Sequence, residues 1–246
     1  MRYRKSETTG FFMRHTFVTV FSIWASCFSI VTPVMADGPV VLELFTSQGC
    51  SSCPAADEML HTLAARSDVI ALALHVDYWD YIGWVDSFAD PQHTVRQQRY
   101  ANVAGASVIY TPQMIVGGVD HVIGAKPMDV ANLIQAHTAN PTGTRITLQR
   151  SGGQLQITGV TSRALRRGTV VQVIRYSPQE TVDIRRGENA GKSLRYVNIV
   201  TDWSIIGEWN GDDDLNITVN TLAKGPLVVI VQEPGPGAIM ASAALR

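Results

Sequence analysis

Two cysteines separated by two serines are the residues of this sequence with the clearest capacity for chemistry. Cysteines at this spacing, Cys50 and Cys53, can close a disulfide, exchange it with other thiols, or supply half of a zinc site. The 246-residue chain has three cysteines and no second Cys-x-x-Cys pair that would complete four zinc ligands. Redox chemistry is therefore favoured, while an inert disulfide, two buried thiols and metal binding remain alternatives.

The surroundings of the pair favour a reactive thiol. A near-continuous apolar run at 40–45 predicts a buried strand just before it, and the apolar period of 55–66 predicts a helix just after it. At the start of a helix the free N–H groups and the helix dipole stabilise a Cys50 thiolate, and Cys53, one turn further in, is the resolving thiol. The expected helix caps and hydrogen-bond donors to the Cys50 sulfur are the intervening Ser51 and Ser52.

The elements that must position this pair alternate between strands and helices. A second apolar run at 69–76 predicts another buried strand, and Gly117-Gly118 predicts the turn of a hairpin. The predicted order of strand, helix, strand, helix, hairpin and helix occupies 40–45, 55–66, 69–76, 91–103, 114–123 and 128–138. It indicates a parallel βαβ unit joined through a helix to an antiparallel ββα unit, which is an α/β fold.

The second half of the chain has a different pattern. After residues 140–143, short alternating runs separated by turn residues predict strands without a long helix, at 145–150, 154–160, 169–176, 194–200, 216–219 and 227–232. We therefore expect an α/β domain over 37–141, followed by an all-β sandwich-like domain over 142–246.

The first 36 residues have the layout of a secretory signal peptide. Basic residues precede a charge-free stretch at 16–31, and a small-x-small site ends at Ala36. Cleavage there predicts a secreted or periplasmic protein without a membrane span, whereas an uncleaved anchor is the alternative. Removing four basic residues and one acidic residue from 20 and 21 leaves 16 and 20, a net charge of −4. This balance excludes a general nucleic-acid binder, which needs a basic surface.

Two motifs carry a resemblance to the thioredoxin and glutaredoxin superfamily. The first is Cys-x-x-Cys after the first strand of the α/β unit, and the second is Thr111-Pro112 at the start of the predicted hairpin. The resemblance implies a thioredoxin-like fold for the first domain. It also implies that Pro112 is a cis-proline facing the disulfide and that the backbone at Thr111 pairs with an extended substrate.

A narrower resemblance covers nearly all of the processed chain. Segments 44–54, 75–80, 110–113, 187–191 and 209–211 are similar to a secreted thioredoxin-like family of unknown function from Gram-negative bacteria. Ordinary thioredoxins have Trp-Cys-Gly-Pro-Cys and a buried aspartate six residues before the first cysteine, whereas Leu44 stands at that position here. Its neighbour Glu43, the one charge in a predicted buried strand, is a candidate proton relay for Cys53, and a solvated or strand-end glutamate is an equal alternative.

An aromatic and acidic connection follows the second predicted strand. We expect Trp79 and Trp84 to form part of an apolar wall beside the disulfide that receives substrate, although these rings could instead cover the strand. His75, Asp77 and His93 lack a metal-ligand spacing, so a hydrogen-bonded core histidine is favoured and no metal site is expected.

The sequence thus predicts an exported thiol–disulfide oxidoreductase that acts on protein or small-molecule thiols without a cofactor. It does not name the partner that recycles the cysteines, the direction of electron flow or the oligomeric state. The alternative is a non-catalytic binding or scaffold module with a static disulfide, holding a metal or a partner in the cell envelope.

Overall fold

Two parallel strands lie at the centre of the structure, a computed structural model that describes residues 1–3, 10, 38–220 and 225–246. Strand β1 (Val40–Thr46) pairs with β2 (Val69–His75) over its whole length, from Val40 opposite Val69 to Thr46 opposite His75. Both strands are buried almost throughout because elements cover both faces, which explains their continuous apolar sequences. Helix α1 (Pro54–Ala64) connects them.

The other elements follow in chain order. The helices are α2 (Pro91–Val103) and α3 (Pro127–Ala139), and a short 3₁₀ turn spans Asp80–Ile82. The remaining strands are β3 (Gln113–Val116), β4 (Asp120–Ile123), β5 (Thr144–Ser151), β6 (Gln154–Thr161), β7 (Val170–Asp183), β8 (Ser193–Glu208), β9 (Leu215–Asn220), β10 (Leu227–Gln232) and β11 (Ile239–Leu245).

One large mixed sheet joins the two halves of the chain, and this overturns the predicted fold class. Its eight strands have the order β11-β10-β7-β8-β2-β1-β3-β4, while β5, β6 and β9 form a separate three-stranded sheet. The prediction of a thioredoxin-like α/β domain followed by an all-β sandwich-like domain was wrong. The architecture is mostly β, with three α-helices in the part of the chain that the structure describes.

The pairing and the length of β7 and β8 explain the error. Their apolar runs predicted strands of eight and seven residues, but the strands extend over 14 and 16 residues. Within the predicted run of β8, Ile199 pairs with Ala73 of β2, and the Asn198 side chain donates to the Ala71 carbonyl at 2.8 Å. The polar continuation of β7, 177–183, lacks apolar alternation, so its sequence resembles that of a loop. Backbone pairing with β8 holds it in the sheet.

The helices cover opposite faces of the large sheet. Side chains of α1 and α3, such as Leu60 and Ile134, form one core with Leu42 and Leu44 of β1. The alternate face of β1 packs with Tyr100 of α2. A third core lies between the small sheet and β7, β10 and β11. The start of α1 and the carboxyl end of β1 therefore meet at one edge of the central strands.

The contacts within the chain divide it into two units. Met35–Arg246 form one compact unit, and Met1–Val34 form another. The predicted signal peptide, 1–36, lies outside the described residues except for 1–3 and 10. Within the described ranges, no helix has the length and apolar character needed to cross a membrane.

Candidate thiol–disulfide site

Cys50 and Cys53 form a disulfide at the start of α1, with their Cα atoms 5.4 Å apart. Cys53 is the residue that caps the helix, and Pro54 occupies its first turn, where a missing N–H leaves no hydrogen bond unmade. Cys50 lies in the preceding turn, where its N–H donates to the Ser47 carbonyl at 3.1 Å. The two cysteines are 1% and 0% exposed. The disulfide is thus a buried link between this turn and the helix.

The two serines between the cysteines are exposed. The Ser52 hydroxyl lies 3.4 Å from the Cys50 sulfur, within reach of a weak hydrogen bond. Neither serine caps α1, because the capping residue is Cys53, whose side chain makes no cap hydrogen bond. Ser52 therefore has the predicted contact with sulfur, whereas the predicted serine cap is absent at this helix.

Gln48 anchors the loop that precedes the disulfide, a role the sequence analysis missed. Its backbone N–H donates to Asp86 at 2.8 Å, and its side-chain N–H₂ donates to the Ser87 hydroxyl at 3.1 Å. Its side-chain carbonyl accepts from the Trp84 indole at 2.8 Å, and its backbone carbonyl accepts from Asn189 at 2.9 Å. Two distant parts of the chain, residues 84–87 and Asn189, thus hold the cysteine loop through one residue.

Trp79 links the cysteine loop to the predicted substrate-binding segment. Its indole N–H donates to the Thr111 hydroxyl at 2.7 Å, and a Cβ added at Gly49 would lie 3.2 Å from the Trp79 Cβ. The Thr111–Pro112 peptide bond is cis, and the Pro112 carbonyl accepts from the Gly124 N–H at 2.8 Å. The structure therefore brings Trp79 and Thr111 together beside the loop that carries Cys50.

We expect Thr111→Val to lower the free energy of unfolding by about 1–2 kcal/mol, because it removes the acceptor of the Trp79 indole at nearly constant volume. Chemical denaturation of the oxidised protein measures this loss. Thr62→Val on the exposed side of α1 is the matched control, with an expected change within about 0.5 kcal/mol. Equal effects of the two substitutions would show that the indole bond does not stabilise the site.

Glu43 lies on the α2 side of β1 and takes part in a buried ion pair. Arg96 donates to both of its carboxylate oxygens, at 2.6 and 2.9 Å, and the Tyr100 hydroxyl donates to one of them at 2.6 Å. Arg96 also donates to Gln232 and stacks 3.8 Å from the Trp203 ring centroid. These contacts link Glu43 to α2 and the C-terminal strands, while α1, which follows the cysteines, packs on the other face of the sheet.

A cavity of about 670 Å³ opens beside this ion pair, between α2 and the strands of the second half. Arg96 and Trp203 form part of its wall, and Arg99 stands among its exposed residues. Because Glu43 neutralises Arg96, the buried part of the cavity has little net charge to offer a ligand.

Asp57, on α1, is the buried acid closest in sequence to the disulfide, and it was not among the residues predicted for the site. Its N–H donates to the Cys53 carbonyl one turn earlier, at 3.1 Å. Burial raises the pKa of Asp57 to about 7, although the nearby His75 and a hydrogen bond from Thr46 act in the opposite direction. Asp57 thus holds a proton into the neutral range. The available signal was its spacing, four residues after Cys53, on the buried face of the helix.

Asp57 belongs to a cluster of buried polar side chains. Its Oδ2, the Nε2 of His75 and the hydroxyl of Tyr196 are fully buried and have no hydrogen-bond partner among the residues that the structure describes. Burial also raises the pKa of Tyr196. The rings of His75 and Tyr196 are in edge contact, with centroids 4.9 Å apart. Tyr196 comes from β8, so the second half of the chain completes the environment of an acid on α1.

His75 is a hydrogen-bonded core histidine, as the sequence favoured. Its Nδ1 lies 2.7 Å from Asp86, and both side chains are fully buried. Burial alone would raise the pKa of Asp86, but His75 and the N–H groups of Gln48 and Phe88 outweigh it and lower that pKa. Across the described ranges, no three or more His, Cys, Asp or Glu side chains are grouped so that they could hold a metal ion.

Comparison with known sequences places the chain in a family. A family profile described as "Protein of unknown function (DUF1223)" matches residues 41–232. The chain belongs to the DUF1223 family. A search of curated proteins yields no significant match.

Two solved structures resemble this DUF1223 protein. A protein from Agrobacterium tumefaciens, a structural-genomics target solved by X-ray crystallography, is 32% identical, with 85% of this chain and 94% of that chain covered and a TM-score of 0.74. HBP35 of Porphyromonas gingivalis is 15% identical, with 86% and 76% covered and a TM-score of 0.59. The second likeness concerns the fold alone.

Proposed function

We propose that this DUF1223 protein is an exported thiol–disulfide oxidoreductase that acts through Cys50 and Cys53. The observation that carries the proposal is the disulfide at the start of α1 with Asp57, a buried acid with a pKa of about 7, one helical turn later. A disulfide that only cross-links the chain needs no titratable group behind it, whereas thiol exchange releases and takes up protons near neutral pH.

The proposed exchange begins when a substrate thiolate attacks the Cys50 sulfur. A bond forms between the two sulfurs, the bond to Cys53 breaks, and its electron pair leaves on Cys53 as a thiolate. Asp57 gives its proton to this thiolate and becomes a carboxylate. In the reverse direction, Asp57 takes the proton back, and the Cys53 thiolate attacks the Cys50 sulfur of the mixed disulfide, so that the substrate leaves as a thiolate. Full reduction of the pair uses a second substrate thiolate, which attacks the substrate sulfur of the mixed disulfide and releases Cys50 as a thiolate. The reduced and oxidised forms of the pair thus interconvert by thiol exchange without a cofactor.

We assign substrate binding to the residues that surround the cysteine loop. Trp79 and Thr111 are hydrogen-bonded to each other beside Gly49, and Trp84 is bonded to Gln48. The aromatic surfaces would receive the apolar part of a thiol substrate, while the half-buried backbone at Thr111 would pair with an extended peptide.

The reduction potential of the cysteine pair tests the proposal. For processed protein equilibrated in glutathione buffers, we expect a value within the enzymatic range of roughly −120 to −270 mV. The mixed-disulfide trap Cys53→Ser should form a stable adduct with glutathione through Cys50, whereas Cys50→Ser should form much less. A pair that remains oxidised below about −300 mV would contradict the proposal.

The burial of the disulfide supports a second candidate function. Because Cys50 and Cys53 are almost fully buried, the bond also fits a static cross-link in a binding module. The same titration separates the two functions, since a static cross-link resists reduction by the glutathione pool. If the disulfide is a static cross-link, replacing both cysteines should lower the free energy of unfolding. The replacement should leave any activity of the protein toward thiols unchanged.

Export forms a separate part of the proposal. We propose cleavage after Ala36, which gives a secreted or periplasmic protein that begins at Asp37. Amino-terminal sequencing of the protein from cell fractions tests this, with Asp37 as the expected first residue outside the cytoplasm. Uncleaved protein retained with the membrane fraction would indicate an anchor instead.

A further inference from the structure

The connection between β7 and β8 packs against the cysteine loop. This connection, residues 184–192, is called the hairpin tip here. Asn189 in the tip is fully buried, and its side-chain N–H₂ donates to the backbone carbonyls of Gln48 and Cys50, both at 2.9 Å. One side chain from the second half of the chain thus bonds to the backbone on both sides of Gly49.

Two further contacts hold the hairpin tip in place. The Lys192 ammonium donates to the Asn189 side-chain carbonyl at 2.8 Å, which orients its N–H₂ toward the cysteine loop. A Cβ added at Gly187 would lie 3.2 Å from the Trp84 Cβ. The backbone of the tip therefore packs closely on the connection that contains Trp84, residues 78–91, which is called the aromatic segment here. The tip, the aromatic segment and the cysteine loop therefore meet where Cys50 is buried.

Burial of Cys50 limits the exchange reaction. The attacking thiolate must reach a sulfur along the axis of the bond that breaks, but Cys50 is only 1% exposed in the oxidised protein. The exposed neighbours Ser51 and Ser52 leave one side of the loop open to solvent. A small displacement of the loop from Asn189 would therefore bring Cys50 to the surface.

We propose that Asn189 is a positioning residue that holds the cysteine loop closed and sets the rate at which thiols reach Cys50. This inference rests on the proposed function and concerns the control of the same site. Asn189 bonds to the backbone of the loop rather than to sulfur, so it acts equally on the approach to the oxidised pair and on the return reaction. It controls the rate of exchange and leaves the equilibrium between disulfide and dithiol unchanged.

Asn189→Ala tests this role because it removes both hydrogen bonds without adding charge beside Cys50. We expect the second-order rate constant for reduction by dithiothreitol to rise on the order of tenfold, since each lost bond raises the open population several-fold. The rate of reoxidation by oxidised glutathione should rise by the same factor, and the reduction potential should remain unchanged. Glu188→Gln, at the exposed neighbouring position, is the matched control with unchanged rates.

A second variant guards against misfolding of the first. Lys192→Met leaves Asn189 present but removes the bond to its carbonyl, so we expect a smaller increase, roughly two- to fivefold, in both rate constants. Unchanged rates in both Asn189→Ala and Lys192→Met, or a potential that shifts in Asn189→Ala, would overturn the inference. Because dithiothreitol also reduces static disulfides, the rates test Asn189 even if the potential rules out the proposed function.

Discussion

Asn in place of Asp57 should make the protein more stable at pH 8, by on the order of 2–4 kcal/mol, and leave its stability nearly unchanged at pH 4. The folded protein holds a proton on Asp57 up to a pKa of about 7, whereas the unfolded chain releases it near 3.8. Between these values the folded state binds more protons, so this group makes stability fall as pH rises. Asparagine is uncharged at every pH, so the Asp57→Asn protein does not lose stability through this group as the pH rises.

Denaturant unfolding of the oxidised protein at several pH values measures this effect as the difference between wild type and Asp57→Asn. The exposed neighbour Glu58 supplies the matched control, since Glu58→Gln should give a difference close to zero at every pH. A difference that does not grow between pH 4 and pH 7 would contradict the raised pKa of Asp57. It would also remove the main support for a proton donor behind Cys53.

Methionine in place of Arg96 should destabilise the protein by about 3–5 kcal/mol, because it leaves the Glu43 carboxylate buried without its cation. Glu43 has 1% and Arg96 13% of its side chain exposed, and two hydrogen bonds join them. The substitution also removes the stacking of the guanidinium on Trp203. Methionine keeps much of the apolar volume, so the loss reports mainly on charge.

The matched control is Arg99→Met, one turn further along α2 at an exposed position, with an expected change within about 0.5 kcal/mol. The double variant Glu43→Leu/Arg96→Met should regain a large part of the stability, since a buried ion pair can often be replaced by apolar side chains. If Arg96→Met and Arg99→Met unfold at the same denaturant concentration, the ion pair does not stabilise the fold.

A further experiment distinguishes the two buried acids Asp57 and Glu43. The sequence made Glu43 a candidate proton relay, with a solvated or strand-end glutamate as the equal alternative, but the structure engages both of its oxygens with Arg96 and Tyr100 on α2. Asp57 is on the cysteine helix and has an oxygen without a protein partner. A pH-dependent reduction potential that changes in Asp57→Asn and not in Glu43→Gln would assign the proton transfer to Asp57.

Much of the candidate site follows from short spacings. Cys50 and Cys53, their place between a buried strand and a helix, and the Thr111–Pro112 segment were all visible in the sequence, because each depends on neighbouring residues. Asn189 was not, since nothing local indicates that a polar residue 139 positions after Cys50 donates to its carbonyl. Gln48 was overlooked for the same reason, because its partners lie on distant elements. The spacing of Asp57 after Cys53 was visible, but the burial that raises its pKa depends on the packed core.

The fold shows the same division between local features, which the sequence predicts, and pairings of distant residues, which it does not. Periodicity placed the helices and most of the strands, including α2 at 91–103 and β10 at 227–232, because local burial patterns follow from helix and strand geometry. Strand β11 was missed, since the small residues of 239–245 have little β character alone and are held by pairing with β10.

The sequence alone was sufficient to locate a dithiol motif at the junction of a buried strand and a helix, and to indicate which segments accompany it. It was insufficient to show that β8 pairs with β2, which joins both halves of the chain into one sheet and brings the hairpin tip to Cys50. Local patterns depend on residues a few positions apart. The pairing of β8 with β2 links residues more than a hundred positions apart and depends on which strand edge remains free once the core has packed.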